Sequence, residues 1–127
     1  MKWSDEAIES ALDAVGDKRL GEEDHRSMVL WVADRAEDVL PCFEETYPND
    51  CRPRKAIEAA RAWVRGDVTT SEARAAAFAA HAAARDADEA VARAAARAAD
   101  HAAATVHVAG HTRHAAAYAA AAIRLKG

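Results

Sequence analysis

Apolar residues recur at helical spacing through much of the chain. Between residues 22 and about 40 they fall on one arc when successive positions are turned by about 100°, which predicts an amphipathic helix. Pro41 should bend or end this helix, because proline has no backbone N–H to donate. Leu30 and Trp31 lie off the arc, so either another helix packs there or an apolar patch is exposed to a partner. The arc comprises Val29, Val32, Ala33, Ala36, Val39, Leu40 and Phe43.

Capping residues indicate where two further helices begin and end. Ser4 can cap a first helix over residues 4–15, and Gly16 would end it. Pro53 suits the first turn of a third helix, and Gly66 is placed to follow its last turn. The amphipathic segment described above is therefore the second of at least three helices.

A fourth helix is predicted in the alanine-rich part of the chain. Thr69 and Glu72 have the spacing of a capping box, so this helix should begin near Ser71 and run to about Arg85. Phe78 is its one large apolar residue, and we expect it to anchor the helix in the core.

A fifth helix should follow almost at once. Asp86 and Glu89 repeat the capping spacing, which places its start near Ala87. No proline interrupts residues 87–125, but one helix of that length would exceed the expected width of the domain. We therefore expect a break at Gly110. The alternative is one continuous helix that projects from the domain and forms a homodimer.

Composition favours helices over strands. Alanine makes up about 29% of the 127 residues, whereas aromatic residues make up 6%. Alanine is the best helix former and is depleted in sheets, so the chain is expected to be all-α. Its length suits a single all-helical domain spanning residues 1–127, built as a compact bundle of five or six helices. The small side chains should let these helices pack closely.

The net charge of −4 is unevenly distributed. The first 50 residues contain 14 acidic and 5 basic side chains, whereas the rest of the chain contains 7 acidic and 12 basic ones. The acidic half could attract a basic partner, or it could be an ordinary solvated surface. The arginines of the second half lack interleaved aromatic residues, so we expect no nucleic-acid partner.

Charged stripes flank the apolar faces of the predicted second and third helices. We expect some of these charges to pair between the two helices as structural bridges. The same seam could serve as a binding edge for a partner. The candidate partner-binding residues are Trp31, Asp34, Glu37, Arg54, Glu58 and Arg61.

Several features favour a cytoplasmic location. The chain has no apolar run long enough to span a membrane, and its first ten residues lack the pattern of a signal peptide. We therefore expect no membrane partner.

Cys42 and Cys51 match neither a redox pair nor half of a zinc ribbon, so free thiols are expected. A disulfide is the alternative, because a turn between the two cysteines could bring the sulfur atoms together.

Four of the six histidines are concentrated near the end of the sequence. On a continuous helix, a polar stripe there could hold zinc or another divalent metal. Three ligands from one straight helix converge poorly, so such a site would need the break at Gly110 or a further ligand such as His81. We expect instead that these histidines bond to carbonyls and acids at a helix seam or face solvent, without a cofactor, and metal binding is the alternative. The stripe consists of Asp100, His107, His111, His114 and Tyr118.

Recognised catalytic patterns are lacking. The chain has no GxSxG elbow, no GxGxxG fingerprint and no HExxH zinc motif, and it contains only five glycines with which to build a phosphate loop. We therefore do not expect an enzyme.

Several segments resemble a known protein family. They are WVADRAEDVLPCFEETYP at 31–48, RPRKAIEAARAWVRG at 52–66, AAAFAAHAAAR at 75–85 and ATVHVAGHTRHAAAYAA at 104–120. Together they are similar to the small, alanine-rich, all-helical immunity proteins of bacterial toxin–immunity systems. The resemblance implies an all-helical domain that binds and neutralises a cognate protein toxin, and it carries over no catalytic residues. Cys51 beside Asp50 departs from the family pattern, which tends to be acidic there.

Two functions are compatible with these features. The first, which the resemblance favours, is an immunity protein that neutralises a toxin by protein–protein interaction. The alternative is a metal-binding helical protein that uses His107, His111 and His114.

Overall fold

The computed structural model describes residues 22–106, and every regular element in this range is an α-helix. The helices are α1 (Glu22–Glu44), α2 (Arg52–Arg65), α3 (Thr70–Asp86) and α4 (Ala90–Ala104). The predicted all-α class is confirmed for this part of the chain. Four helices of the expected five or six are described, because the predicted helix at 4–15 and everything after residue 106 lie outside the described residues.

Helix α4 occupies the centre of this arrangement. It packs against each of the other three helices, and α2 packs against both α1 and α3. Helices α1 and α3 therefore lie on opposite sides of the α2–α4 pair. His25 Nε2 donates to the carbonyl oxygen of Thr105 at 2.6 Å, which joins the start of α1 to the turn after α4.

Large side chains from α1 and α2 and methyl groups from α3 and α4 make up the core. Phe43, Met28, Leu40 and Ile57 are the largest fully buried side chains. Eleven residues of α4 are buried, and nine of them are alanines. Alanine side chains let the surrounding backbones approach α4 closely on most of its sides.

Helix α1 continues past Pro41, where the sequence predicted a bend or an end. Proline removes only its own N–H, and the next turn still forms, since the N–H of Glu45 donates to the Pro41 carbonyl at 2.9 Å. Leu40 and Phe43 are both buried, so packing holds this last turn against the core. The predicted end near residue 40 was therefore too early, and α1 ends at Glu44.

The predicted junction between α2 and α3 is confirmed. Gly66 follows α2 in the left-handed conformation, with φ of 82°. Thr69 and Glu72 form the capping box: the Thr69 hydroxyl accepts from the Glu72 N–H at 3.1 Å, and the Glu72 carboxylate accepts from the Thr69 N–H at 3.2 Å. These local interactions set the boundaries that the residue spacing predicted.

The predicted start of the next helix near Ala87 is wrong. Glu89 itself is the N-cap of α4, and its carboxylate accepts from the N–H groups of Val91 at 3.0 Å and Ala92 at 2.8 Å. Asp86 is instead the last residue of α3. The Glu89 side chain thus caps the first turn of α4, in place of the capping box predicted for Asp86 and Glu89.

Helix α4 ends at Ala104, so the alternative of one continuous helix over residues 87–125 is also wrong. The break predicted at Gly110 lies outside the described residues. The continuous helix that would have placed Asp100 and His107 on one stripe therefore ends between them.

Two further expectations concern single side chains. Phe78 does not anchor α3 in the core, because 68% of it is exposed. Cys42 is buried and Cys51 exposed, and both are free, which confirms the expected thiols.

Among residues 22–106, no helix has the length and apolar character needed to cross a membrane.

Candidate functional site

Arg61 of α2 links two carboxylates of α1. Its Nη1 donates to Glu37 Oε1 and its Nη2 donates to Asp34 Oδ1, each at 2.8 Å. The two acids are three residues apart and so lie on the same face of α1. The predicted pairing between the two helices is thus confirmed for these three residues. We call the surface of Trp31, Asp34, Glu37, Arg54, Glu58 and Arg61 the α1–α2 edge.

The two acids remain accessible although they are paired. The side chain of Asp34 is 46% exposed and that of Glu37 is 54% exposed. Such pairs contribute little to stability, typically about 0–1 kcal/mol, because water screens them. Their structural effect is orientation: Arg61 holds both carboxylates in place while part of each still faces solvent.

The same contacts perturb the ionisation of the pair. The hydrogen bond from Arg61 lowers the pKa of Glu37 below its ordinary value, and this effect outweighs the opposing effect of burial. The reciprocal hydrogen bond to Glu37 raises the pKa of Arg61. Both groups are therefore charged at neutral pH, and the α1–α2 edge carries fixed charges there.

Arg54 pairs with neither Asp34 nor Glu37 but with Glu44, the last residue of α1. Its Nε donates to Glu44 Oε2 at 2.8 Å and its Nη2 donates to Glu44 Oε1 at 2.5 Å, which is a bidentate contact. This hydrogen bonding is the main cause of the raised pKa of Arg54, and the charge of Glu58 adds to it. Glu58 is exposed one turn further along α2.

An aromatic residue and an exposed leucine adjoin these charges. Trp31 is partly buried and packs against the core, so the first alternative for the off-arc residues holds for it. The guanidinium of Arg35 lies 5.8 Å from the centre of the Trp31 ring, within the range of a cation–π contact. Leu30 is 39% exposed and so contributes apolar surface, and a partner for it stays a prediction. The edge therefore combines acidic and apolar surface.

A second ionic cluster was not anticipated. Arg52 donates from Nε to Asp50 Oδ1 at 2.9 Å and from Nη2 to Asp50 Oδ2 at 2.7 Å, and Nη2 also reaches Asp86 Oδ2 at 3.1 Å. Hydrogen bonding from Arg52 lowers the pKa of Asp50. The only signal in the sequence is an aspartate two residues before an arginine at a helix start. This cluster joins the start of α2 to the end of α3.

Asp100 lies in a third cluster, between α3 and α4. Its Oδ2 is 3.1 Å from His81 Nδ1 and 3.4 Å from Arg97 Nη1, and Arg97 also contacts the His81 ring. The structure thus brings together Asp100 and His81, which the sequence considered as metal ligands. However, a guanidinium already occupies the cation position beside the carboxylate, which disfavours a metal ion there.

The other proposed metal ligands belong to the last part of the sequence. His107, His111 and His114 lie outside the described residues. Within residues 25–106, no three His, Cys, Asp or Glu side chains are grouped closely enough to hold a metal ion. The metal-binding alternative therefore stays a prediction from the sequence.

Residues 22–106 thus form a small set of packed helices with a charged, partly apolar edge. A family model described as "Imm-5 like putative immunity protein" matches residues 18–127. The chain therefore belongs to the Imm-5-like family of immunity proteins, as its sequence resemblance predicted. No curated protein and no solved structure matches the chain significantly.

Proposed function

We propose that this protein binds a cognate protein toxin in the cytoplasm and neutralises it by covering the toxin's functional surface. Membership of the immunity protein family supports a toxin as the partner. We further propose that inhibition is stoichiometric and involves no catalysis by this chain. On this proposal the protein acts through a complementary surface.

The α1–α2 edge is the surface that we assign to the toxin. The observation that carries this assignment is the bridge from Arg61 to Asp34 and Glu37, which orients two half-exposed carboxylates on one helix face. Preorganised charges lose little conformational entropy on binding, and they increase the rate of encounter with an oppositely charged partner. The expected toxin surface is therefore basic, and Leu30 and Trp31 supply apolar contact beside the charges.

Co-expression with the cognate toxin, which we expect to be encoded near this gene, tests both parts of the proposal. We expect the wild-type chain to restore growth and to elute with the toxin in one complex. Glu37→Lys should weaken the complex by about 1–3 kcal/mol, because it places a like charge opposite a basic surface. Asp88→Lys is the matched control, since Asp88 is an exposed acid in the loop between α3 and α4.

The outcomes separate the surface from the function. No complex and no rescue with the wild-type chain would contradict the toxin-binding proposal. An affinity for the toxin that Glu37→Lys leaves unchanged, or that Asp88→Lys lowers equally, would retain the function but reject the α1–α2 edge. Circular dichroism of each variant checks that the helices are intact.

A further inference from the structure

Helix α3 exposes an aromatic side chain that the core does not use. Phe78 is 68% exposed, the most exposed large apolar side chain within residues 25–106. The neighbouring face of α3, made of small residues such as Ala77 and Ala80, is buried instead. A solvated phenylalanine contributes little to folding, whereas it can contribute substantially when a partner covers it.

A cavity of about 300 Å³ lies beside Phe78. Phe78 and Ala77 of α3 and Ala104 of α4 supply its apolar wall, and its polar lining includes Arg74, His81, Arg97, Asp100 and His101. The carboxylate of Asp100 is only 9% exposed and is held by His81 and Arg97, so the polar side of the cavity is ordered. This volume is sufficient to accept an apolar side chain of a partner.

Two arginines flank Phe78 on the exposed side of α3. Arg74 and Arg85 lie four residues before and seven residues after it, spacings that place all three on one face of the helix. Within the described part of the chain, neither arginine has a carboxylate within 4 Å. In contrast, Arg52, Arg54, Arg61 and Arg65 each form an ion pair.

We propose that this α3 face, formed by Arg74, Phe78 and Arg85 with the adjoining cavity, binds an acidic segment of a partner protein. One apolar side chain of that segment would enter the cavity against Phe78, and carboxylates on either side of it would pair with Arg74 and Arg85. The charge of the two unpaired arginines selects an acidic segment. The apolar wall selects a segment with a large apolar residue at its centre.

The charge distribution favours a protein over a nucleic acid. A phosphate backbone is bound through many cations in a row, whereas this face offers two arginines. Glu72 and Asp86 are also exposed on α3, so this helix does not carry the continuous basic surface that a nucleic acid requires.

The site is independent of the toxin surface assigned above. Helices α1 and α3 lie on opposite sides of the α2–α4 pair, and the two surfaces have opposite charge. A failure of one proposal therefore leaves the other intact.

A fluorescent peptide tests the proposal directly. The probe is a labelled acidic peptide with one central phenylalanine, Glu-Asp-Glu-Phe-Asp-Glu-Asp, and anisotropy is measured with the intact chain at low salt. We expect saturable binding that weakens about tenfold with a peptide in which serine replaces phenylalanine, and about tenfold with Phe78→Ala. The double variant Arg74→Glu/Arg85→Glu should abolish binding.

Controls distinguish this site from general electrostatic attraction. Lys55→Glu, at an exposed position of α2, makes the same charge change as either arginine substitution made alone, and it should have little effect. A short oligouridine should bind more weakly than the peptide. The proposal is overturned if no binding saturates below about 1 mM, or if the serine peptide binds equally well. It is likewise overturned if Phe78→Ala has no effect, if Lys55→Glu weakens binding as much as the arginine variants do, or if oligouridine is preferred. Circular dichroism of the variants confirms that a loss of binding is not a loss of folding.

Discussion

The hydroxyl of Tyr47, in the loop after α1, accepts a hydrogen bond of 2.9 Å from the backbone N–H of Asp88, in the loop between α3 and α4. The Tyr47 ring also lies 5.2 Å, centre to centre, from the buried ring of Phe43. The tyrosine therefore connects two loops that are 41 residues apart in the sequence.

Removing this hydroxyl should have a small and specific cost. We expect Tyr47→Phe to lower the free energy of unfolding by about 0.5–1 kcal/mol, because the exposed N–H of Asp88 can bond to water instead. Tyr47→Ala should cost more, since it also removes the ring contact with Phe43. Urea denaturation measures both values. A Tyr47→Phe midpoint equal to that of the wild type would show that the hydrogen bond adds no stability.

Alanine at the centre of the bundle should not tolerate a larger side chain. Ala95 of α4 is completely buried among the surrounding helices. We expect Ala95→Leu to destabilise the fold by about 1–3 kcal/mol, because added methylene groups force neighbouring helices apart. Ala75→Leu is the control, as Ala75 is exposed on α3. If thermal unfolding gave equal values for both variants, close packing around α4 would not be the limiting factor.

The end of α2 depends on a backbone conformation that glycine adopts easily. A Cβ atom at Gly66 would meet nothing within 4 Å, so only the φ of 82° opposes a larger residue. We expect Gly66→Ala to cost about 1–2 kcal/mol and Gly66→Asn to cost less, since asparagine tolerates the left-handed region better than alanine does. Chemical denaturation of the two variants gives the comparison. An alanine variant as stable as the wild type would contradict this explanation.

Acid should weaken the fold through two arginine-bonded carboxylates. The pKa values of Glu37 and Asp50 lie below their ordinary values of 4.5 and 3.8, chiefly because Arg61 and Arg52 donate hydrogen bonds to them. A carboxyl group whose pKa is lowered by folding stabilises the folded state fully above its unfolded pKa. That stabilisation is lost as the pH falls through the folded value. Stability should therefore decline as the pH drops below about 4.5.

Neutral variants test the origin of this decline. Glu37→Gln and Asp50→Asn together should lower stability at neutral pH and make it less dependent on pH below 4.5. The exposed Asp88→Asn serves as the control and should leave the wild-type slope in place. Urea midpoints measured between neutral pH and acid provide the test. An unchanged slope in the double variant would exclude these two pairs as its cause.

Helix boundaries were predictable where adjacent residues determine them. Gly66, Thr69 and Glu72 act through their own backbone or through partners three residues away, so their roles could be inferred from spacing. Asp86 has the same capping spacing to Glu89, but it lies at the end of α3 and pairs with Arg52, 34 residues away. A contact between residues so far apart in the sequence depends on the fold. The sequence alone therefore could not show that Glu89, and not Asp86, is the N-cap of α4.

The exposure of Phe78 was unpredictable for a related reason. In a helix made mostly of alanine, a single large residue suggests that its own side faces the core. Here the neighbouring alanine face, which includes Ala77 and Ala80, packs inward instead, and α4 presents mainly alanines to its neighbours. Close packing between the alanine faces of α3 and α4 therefore stabilises the fold more than burial of the Phe78 ring would.

The α1–α2 edge was predictable in kind but not in detail. Acids and arginines that flank the apolar faces of the two helices predicted ion pairs between them. Arg61 forms two such pairs, with Asp34 and with Glu37. Which arginine meets which acid depends on how the helices are offset along their axes. Arg65, which also lies on α2, pairs instead with Asp67 in the following turn.

The position of α4 affects how the protein exchanges its amide hydrogens with the solvent. Neighbouring helices shield its backbone, so local fraying does not expose its central N–H groups. Deuterium enters that segment chiefly when the entire domain unfolds, and its exchange rate therefore reports the global free energy of unfolding.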